Sequence, residues 1–146
     1  MAVCTFFGHH DTPSSVRPNL KTTLIDLIEH HGVNTFYVGN HGAFDAMAWS
    51  VLSELRPIYS HIRCTTVLAY MPPQPDRLRK TYDYKDSLLP EGIENVPKRY
   101  AIVWRNKWML KQADCVVTYV VHHVGGAAKF EEMAKKQGKT VFCLVN

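Results

Sequence analysis

Thr35-Phe36-Tyr37-Val38-Gly39-Asn40-His41-Gly42-Ala43-Phe44-Asp45-Ala46-Met47-Ala48 changes character twice. Its aromatic and β-branched start favours an extended strand. It breaks at Gly39-Asn40-His41-Gly42 and resumes as a helix. Glycines let backbone come close to a ligand, and the first N–H groups of a helix have no internal partner. Strand, glycine turn and helix start therefore make an anion site. The pattern recurs on either side. Val3-Cys4-Thr5-Phe6-Phe7 runs into Gly8-His9-His10-Asp11, and Cys115 to Val121 runs into His122-His123-Val124-Gly125-Gly126.

Outward from these turns the chain alternates. Residues 2–7, 34–38, 64–70, 114–120 and 140–145 have strand character. Residues 19–31, 42–56, 99–112 and 125–138 have helical spacing. The first helix aligns Leu20, Leu24, Leu27 and Ile28, and Gly32 stops it. The second aligns Ala43, Met47, Val51 and Leu55, and Pro57 ends it. The third is expected to turn Ile102, Val103, Asn106, Met109, Leu110 and Ala113 inward. Between about 71 and 98 lies a Pro-rich insert, opened by Met71-Pro72-Pro73-Gln74-Pro75. A connection of that length suits a cover over a site or a contact with a second subunit.

Alternation of this kind predicts a single α/β Rossmann-like domain over residues 1–146. Its sheet is expected to be parallel and five-stranded, in the order 3-2-1-4-5, with helices on both faces. The run Cys115-Val116-Val117-Thr118-Tyr119-Val120-Val121 fits a strand covered on both sides. In that order the topological switch lies between the first and fourth strands. Ligands of such sheets bind outside the carboxyl ends of the strands at that point. The turns at Gly8, Gly39 and Gly125 would converge there.

Composition sets bounds. The 146 residues are 46% hydrophobic and 21% charged, enough for a full core. No apolar run is long enough to span a bilayer. No signal-like segment is evident, which gives the expectation of a cytoplasmic protein without membrane contact. Cys4, Cys64, Cys115 and Cys143 lie in strand-like segments without a C-x-x-C pair, and are expected as buried reduced thiols. With 17 basic and 13 acidic residues the net charge is +4. This suits an anionic ligand, but it is modest and spread out, which argues against nucleic acid as the partner. The basic run Arg77-Leu78-Arg79-Lys80 would carry nucleic-acid binding if it occurred.

Gly125, Gly126, Ala127 and Lys129 form the best phosphate candidate, two glycines before a helix start with a cation in its first turn. Neither a Walker A loop nor a G-x-G-x-x-G motif is present. Asp45 in the first turn of the second helix would cap the Asn40-His41-Gly42 loop or accept a sugar hydroxyl. Asn40 and His41 sit at the loop tip, facing a ligand. Five of the eight histidines, His9, His10, His41, His122 and His123, lie in the three turns. With Asp11 and Asp45 they have metal-binding chemistry, but their spacing fits no short zinc signature. Neutral histidines bonding phosphate or sugar are the preferred reading, with no metal and no cofactor. Arg105, bordering the inner face of the third helix, would reach the sheet edge and fork onto a phosphate.

Taken together, Thr5-Phe6-Phe7-Gly8-His9-His10, Tyr37 to Asp45, Arg105-Asn106-Lys107-Trp108-Met109 before Ala113-Asp114, and Gly125 to Phe130 resemble the SLOG superfamily (Smf/DprA and LOG relatives), near its YpsA-like branch. The resemblance covers nearly the whole chain. It implies a Rossmann-like fold that binds a nucleotide or nucleotide-derived molecule. Among its members some are enzymes, some sensor domains, and DprA-type members bind single-stranded DNA. The enzymatic cousins, phosphoribohydrolases of the lonely-guy group, carry an arginine ahead of the fourth strand and a P-G-G-x-G-T-x-x-E loop. Arg105 falls on the arginine and Glu132 on the glutamate. Val124, Ala128 and Lys129 stand where the loop has proline, glycine and threonine.

The expectation is thus a nucleotide-binding or sensor domain, with Gly8, His9, His10, Gly39, Asn40, His41, Gly42 and Asp45 around the sugar. Arg105, Gly125, Gly126, Ala127 and Lys129 would hold the phosphate. The first alternative is N-glycosidic hydrolysis of a nucleoside monophosphate, with Arg105 and Glu132 catalytic. The second is single-stranded nucleic-acid binding. A homo-oligomer is compatible with the sequence.

Overall fold

Apolar runs of five to seven residues, separated by amphipathic segments, settle into one sheet between two layers of helix. The computed structural model describes residues 2–70 and 86–145. The strands are β1 (Ala2–Gly8), β2 (Val33–Val38), β3 (Arg63–Val67), β4 (Ser87–Leu88), β5 (Cys115–Tyr119) and β6 (Thr140–Cys143). The helices are α1 (Arg17–His30), α2 (Ala43–Leu55), α3 (Lys98–Gln112) and α4 (Gly126–Lys136).

All strand pairs are parallel, in the order β4-β3-β2-β1-β5-β6. The five expected strands keep their expected order, but the sheet has six. The added β4 is two residues long and pairs Ser87 with Thr66 and Leu88 with Val67. Two residues leave no periodic signal, so β4 lay hidden at the end of the Pro-rich connection. The prolines of Met71 to Pro75, the basic run Arg77 to Lys80, and Tyr82 and Tyr84 lie outside the described residues.

On one face α1 and α2 pack Leu20, Leu24, Leu27, Phe44, Val51 and Leu52 against Phe6, Phe36 and Val38. On the other, α3 and α4 pack Met109, Leu110, Phe130 and Ala134 against Phe7, Val67 and Val116. Val3, Thr5 and Phe7 alternate with Cys4 and Phe6 along β1, and the alternation feeds both cores.

The expected inner face of α3 needs correction. Ala101, Arg105, Met109 and Leu110 are buried, whereas Ile102 and Val103 are exposed at 37% and 38%. Acceptors at the sheet edge draw Arg105 inward, and this rotates the two β-branched residues to the surface. Cys4, Cys64 and Cys115 are buried free thiols, as expected, but Cys143 on the edge strand β6 is exposed.

Candidate functional site

A parallel sheet brings all strand carboxyl ends to one edge. The turns after β1, β2 and β5 meet there around a cavity of about 380 Å³, a size suited to a small organic ligand. Its wall includes Gly8, His9, His10 and Asp11 from the first turn, and His41 and Asp45 from the second. Arg105 and Asn106 come from α3, and His122, Val124, Gly125, Gly126 and Ala127 from the turn into α4. Phe6, Phe7 and Phe130 form the apolar floor, with the Phe7 and Phe130 rings stacked at 5.0 Å.

The turns are packed on one another. A Cβ at Gly8 would lie 2.2 Å from Phe44 Cγ, so only glycine lets the first turn of α2 close over β1. Gly42, at φ +91°, packs against His10 Cα, and the Ala43 N–H donates to the His10 carbonyl at 2.8 Å. The start of α2 is therefore capped from within. The His41 N–H donates to Asp45 Oδ2 at 3.0 Å, the capping role foreseen for that carboxylate. By contrast, α4 has no side-chain cap at Gly125, and a Cβ at Gly126 would meet nothing within 4 Å. Of the two helix starts at this edge, α4's opens onto the cavity.

Arg105 is 1% exposed and ties the edge together. Its Nη1 donates to Asn40 Oδ1 at 3.0 Å and to the Val67 carbonyl at 2.8 Å, and its Nε to Asn106 Oδ1 at 2.8 Å. Its Nη2 lies 3.3 Å from His41 Nδ1. A guanidinium only donates, so His41 Nδ1 accepts and the proton sits on Nε2. That nitrogen is 3.3 Å from the Tyr70 hydroxyl. Burial first, then the Arg105 charge, lowers the His41 pKa to about 4, so the ring is a neutral donor at physiological pH. His9 is likewise fixed. Its Nε2 accepts the Val121 N–H at 2.9 Å and the His122 N–H at 3.3 Å, and burial followed by the His122 charge lowers its pKa.

Asp45 behaves in the opposite sense. Burial raises its carboxyl to about 6, although Arg105 and the His41 N–H pull the other way. The residue is only half-buried, but Oδ2 is wedged beside Gly39, where an added Cβ would come within 2.6 Å of it.

The two shifts have opposite consequences for stability. His41, depressed in the fold, withdraws stability as pH falls from about 6.5 towards 4. Asp45, raised in the fold, adds stability as pH falls from about 6 towards 4 and loses it as pH rises through 6. Asp45→Asn removes the second contribution and keeps an acceptor for the His41 N–H. The variant is expected to be more stable than wild type at pH 7 by about 1–3 kcal/mol, with the difference gone near pH 4. Urea midpoints across that range check it, and a constant difference would rule out the linkage.

Among the residues singled out from the sequence, Gly8, His9, His10, His41, Asp45, Arg105, Gly125, Gly126 and Ala127 share the cavity wall. Gly39 packs against Asp45 and Arg105, and Asn40 accepts from Arg105, without lining the cavity, whereas Gly42 is exposed and packs against His10. Lys129 is exposed and is not part of the wall. Glu132 is 69% exposed and paired with Lys136 at 3.2 Å, away from the cavity. Its neighbour Glu131 is the one turned inward, accepting from the buried Thr118 hydroxyl. Asn106, expected on the inner face of the third helix, and Phe130 also line the cavity, although neither was expected to bind ligand. Asn106 directly follows Arg105, and that adjacency was the available signal. Among the described residues no group of three His, Cys, Asp or Glu side chains is placed to hold a metal ion, and no helix is long and apolar enough to cross a membrane.

Fold and cleft together are those of a Rossmann-like α/β domain. No family model matches the sequence, and no curated protein matches it. Solved structures do share the fold. DNA processing protein A (DprA) from Streptococcus pneumoniae superposes with a TM-score of 0.69 at 13% identity, over 98% of this chain and 50% of that one. DprA from Helicobacter pylori gives 0.67 at 12% identity, over 97% of this chain and 64% of that one. The chain thus spans about half to just under two thirds of these structures. The Helicobacter pylori structure was determined for its single-stranded DNA binding mode. The charge-based argument against nucleic acid is corrected by that neighbour: this fold, at low identity, serves a protein that binds single-stranded DNA.

Proposed function

We propose that the cleft binds a phosphate-bearing nucleotide unit of a single-stranded nucleic acid. The phosphate would sit on the N–H groups opening α4 at Gly126 and Ala127. The sugar and base would face His9, His41 and Asp45. The observation that carries the reading is the convergence of three strand-end turns on one cavity, with the α2 start closed by His10 and the α4 start open. Beside that start, Val121 and Val124 are 44% and 80% exposed, apolar surface suited to a neighbouring base. The DprA structures of the same fold support this choice of partner. A free nucleotide or nucleotide-derived signal is the second reading, favoured by the cavity volume, which fits one such unit. Hydrolysis of its glycosidic bond has less support, because Glu132 faces away from the cavity.

Fluorescence anisotropy with oligo(dT) over a salt series tests the proposal. Affinity should fall linearly on a log–log plot as salt rises. Gly126→Val should weaken binding roughly ten- to a hundredfold by blocking close approach of a phosphate. Its fold should remain intact, since the added side chain enters open space. Absence of oligonucleotide affinity, with a nucleoside monophosphate bound in calorimetry, would replace the first reading by the second.

A further inference from the structure

A carboxylate in the wall of a cleft for an anion repels the ligand's phosphate, and a single capping bond to a backbone N–H occupies only one of its two oxygens. Asp45 is such a group. Oδ2 is engaged by the His41 N–H and packed against Gly39, and among the described residues no donor is seen for Oδ1. The placement keeps Asp45 away from the phosphate end. It stands after β2, and the open helix start follows β5, with β1 between them. Two strand spacings separate these positions, roughly 10 Å, so one nucleotide can lay its phosphate on α4 and its sugar and base towards Asp45.

We infer that Asp45 is a specificity residue of this cleft, whose Oδ1 accepts a hydrogen bond from an uncharged donor of the ligand, a sugar hydroxyl or a base N–H. This rests on the nucleotide-binding reading above. His41 and Arg105 serve it as positioning residues: the His41 N–H orients the carboxylate, and Arg105 holds the loop that carries His41. Only the ionised carboxylate has two full acceptors, and a protonated acid directs an O–H at the donor instead. With its carboxyl raised to about 6, Asp45 makes recognition sensitive to mild acid.

Other groups face the same space: Arg105 from α3, His41 from its own loop, His9, His10 and Asp11 from the turn after β1, and His122 from the turn after β5. Any proton gained by a histidine strengthens anion binding, the opposite direction to loss of the Asp45 acceptor. The informative quantity is therefore the difference between the wild-type and Asp45→Asn profiles.

The experiment measures affinity of wild type and Asp45→Asn between pH 5 and 8 at constant ionic strength. The probes are oligo(dT), oligo(rU), 2′-O-methyl oligo(rU) and oligo(dG), with the corresponding mononucleotides in parallel. At pH 7.5 the variant should bind its preferred probe roughly tenfold more weakly. The gap should close as pH falls through 6. A preference for oligo(rU) over its 2′-O-methyl form that vanishes in the variant identifies a sugar hydroxyl as the donor. A preference among bases that vanishes identifies a base N–H. Wild-type and variant profiles that coincide for every probe would overturn the inference. So would a variant that binds more tightly at pH 7.5, since the carboxylate would then face phosphate. A wild type that binds none of the probes would instead overturn the nucleotide-binding reading itself.

Discussion

Arg105→Ala is expected to lower the stability of the fold by about 4 kcal/mol. The guanidinium is almost fully buried, and its removal leaves Asn40 Oδ1, the Val67 carbonyl, Asn106 Oδ1 and His41 Nδ1 without their donor. Each unsatisfied buried group costs about 1–3 kcal/mol, moderated where the loop relaxes and water enters. A loss of that size is a large share of the roughly 5–15 kcal/mol that holds a domain together. Arg105→Lys keeps a charge but has no planar fork to reach acceptors on α3, β3 and the β2–α2 loop at once, so it should restore less than half. The His41 resonance supplies a second readout. Burial is the larger cause of its low pKa and the Arg105 charge the second, so the pKa should rise from about 4 when the charge is removed. Urea unfolding and NMR titration of the imidazole check both. Stability within 1 kcal/mol of wild type would show that the carbonyl and amide contacts are dispensable.

Gly8→Ala is expected to be comparably severe from a single methyl group. The new Cβ would fall 2.2 Å from Phe44 Cγ and 2.4 Å from Cδ2. Phe44 is 1% exposed and contacts the Phe6 ring edge-on at 6.4 Å, so it has little room to withdraw. Overpacking of this kind typically costs 1–3 kcal/mol, occasionally more, and the upper end is expected because a whole ring must move. The pair is testable by its non-additivity. In Gly8→Ala with Phe44→Ala the ring contacts are gone and only the 2.8 Å approach to the residue-44 Cβ remains, so the double variant should be more stable than the sum of the two single losses implies. Strict additivity in thermal melts would separate Gly8 from Phe44.

Much of this architecture was legible because parallel strands covered on both faces must be apolar throughout. Cys115 to Tyr119 and Phe36 to Val38 announce themselves by that rule. The strand order followed from handedness, and the meeting of the three turns followed from the order. What escaped has specific causes. Ser87–Leu88 joins β3 through two residues, too few for any period. The face of α3 was misassigned because an arginine occupies an inward position. Nothing in a sequence reveals that a backbone carbonyl, here Val67, waits to receive it. The glycines at 8 and 39 drew notice as points of ligand approach, whereas the crowding there comes from Phe44 and from Asp45 with Arg105. Near the start of α4, one helical step of about 100° separates Glu131, held by Thr118, from Glu132, paired with Lys136 in the open.

The position of β1 bears on how the chain assembles. Cys4 is flanked by Phe36 on one side and by Cys115 on the other. The first pairing closes a short stretch of chain, whereas the second must wait for a segment more than a hundred residues away. Loop closure makes such distant pairings slow. The half from β1 to β3 needs only the shorter closures, and until β5 docks the outer edge of β1 is open to any other extended chain. Docking of β5 seals that edge and in the same event creates the cleft, since the turn after β1 gains its opposite wall only then. The cavity and the protection of that strand edge thus both depend on the same pairing, and a lesion that slows β5 docking is expected to delay both together.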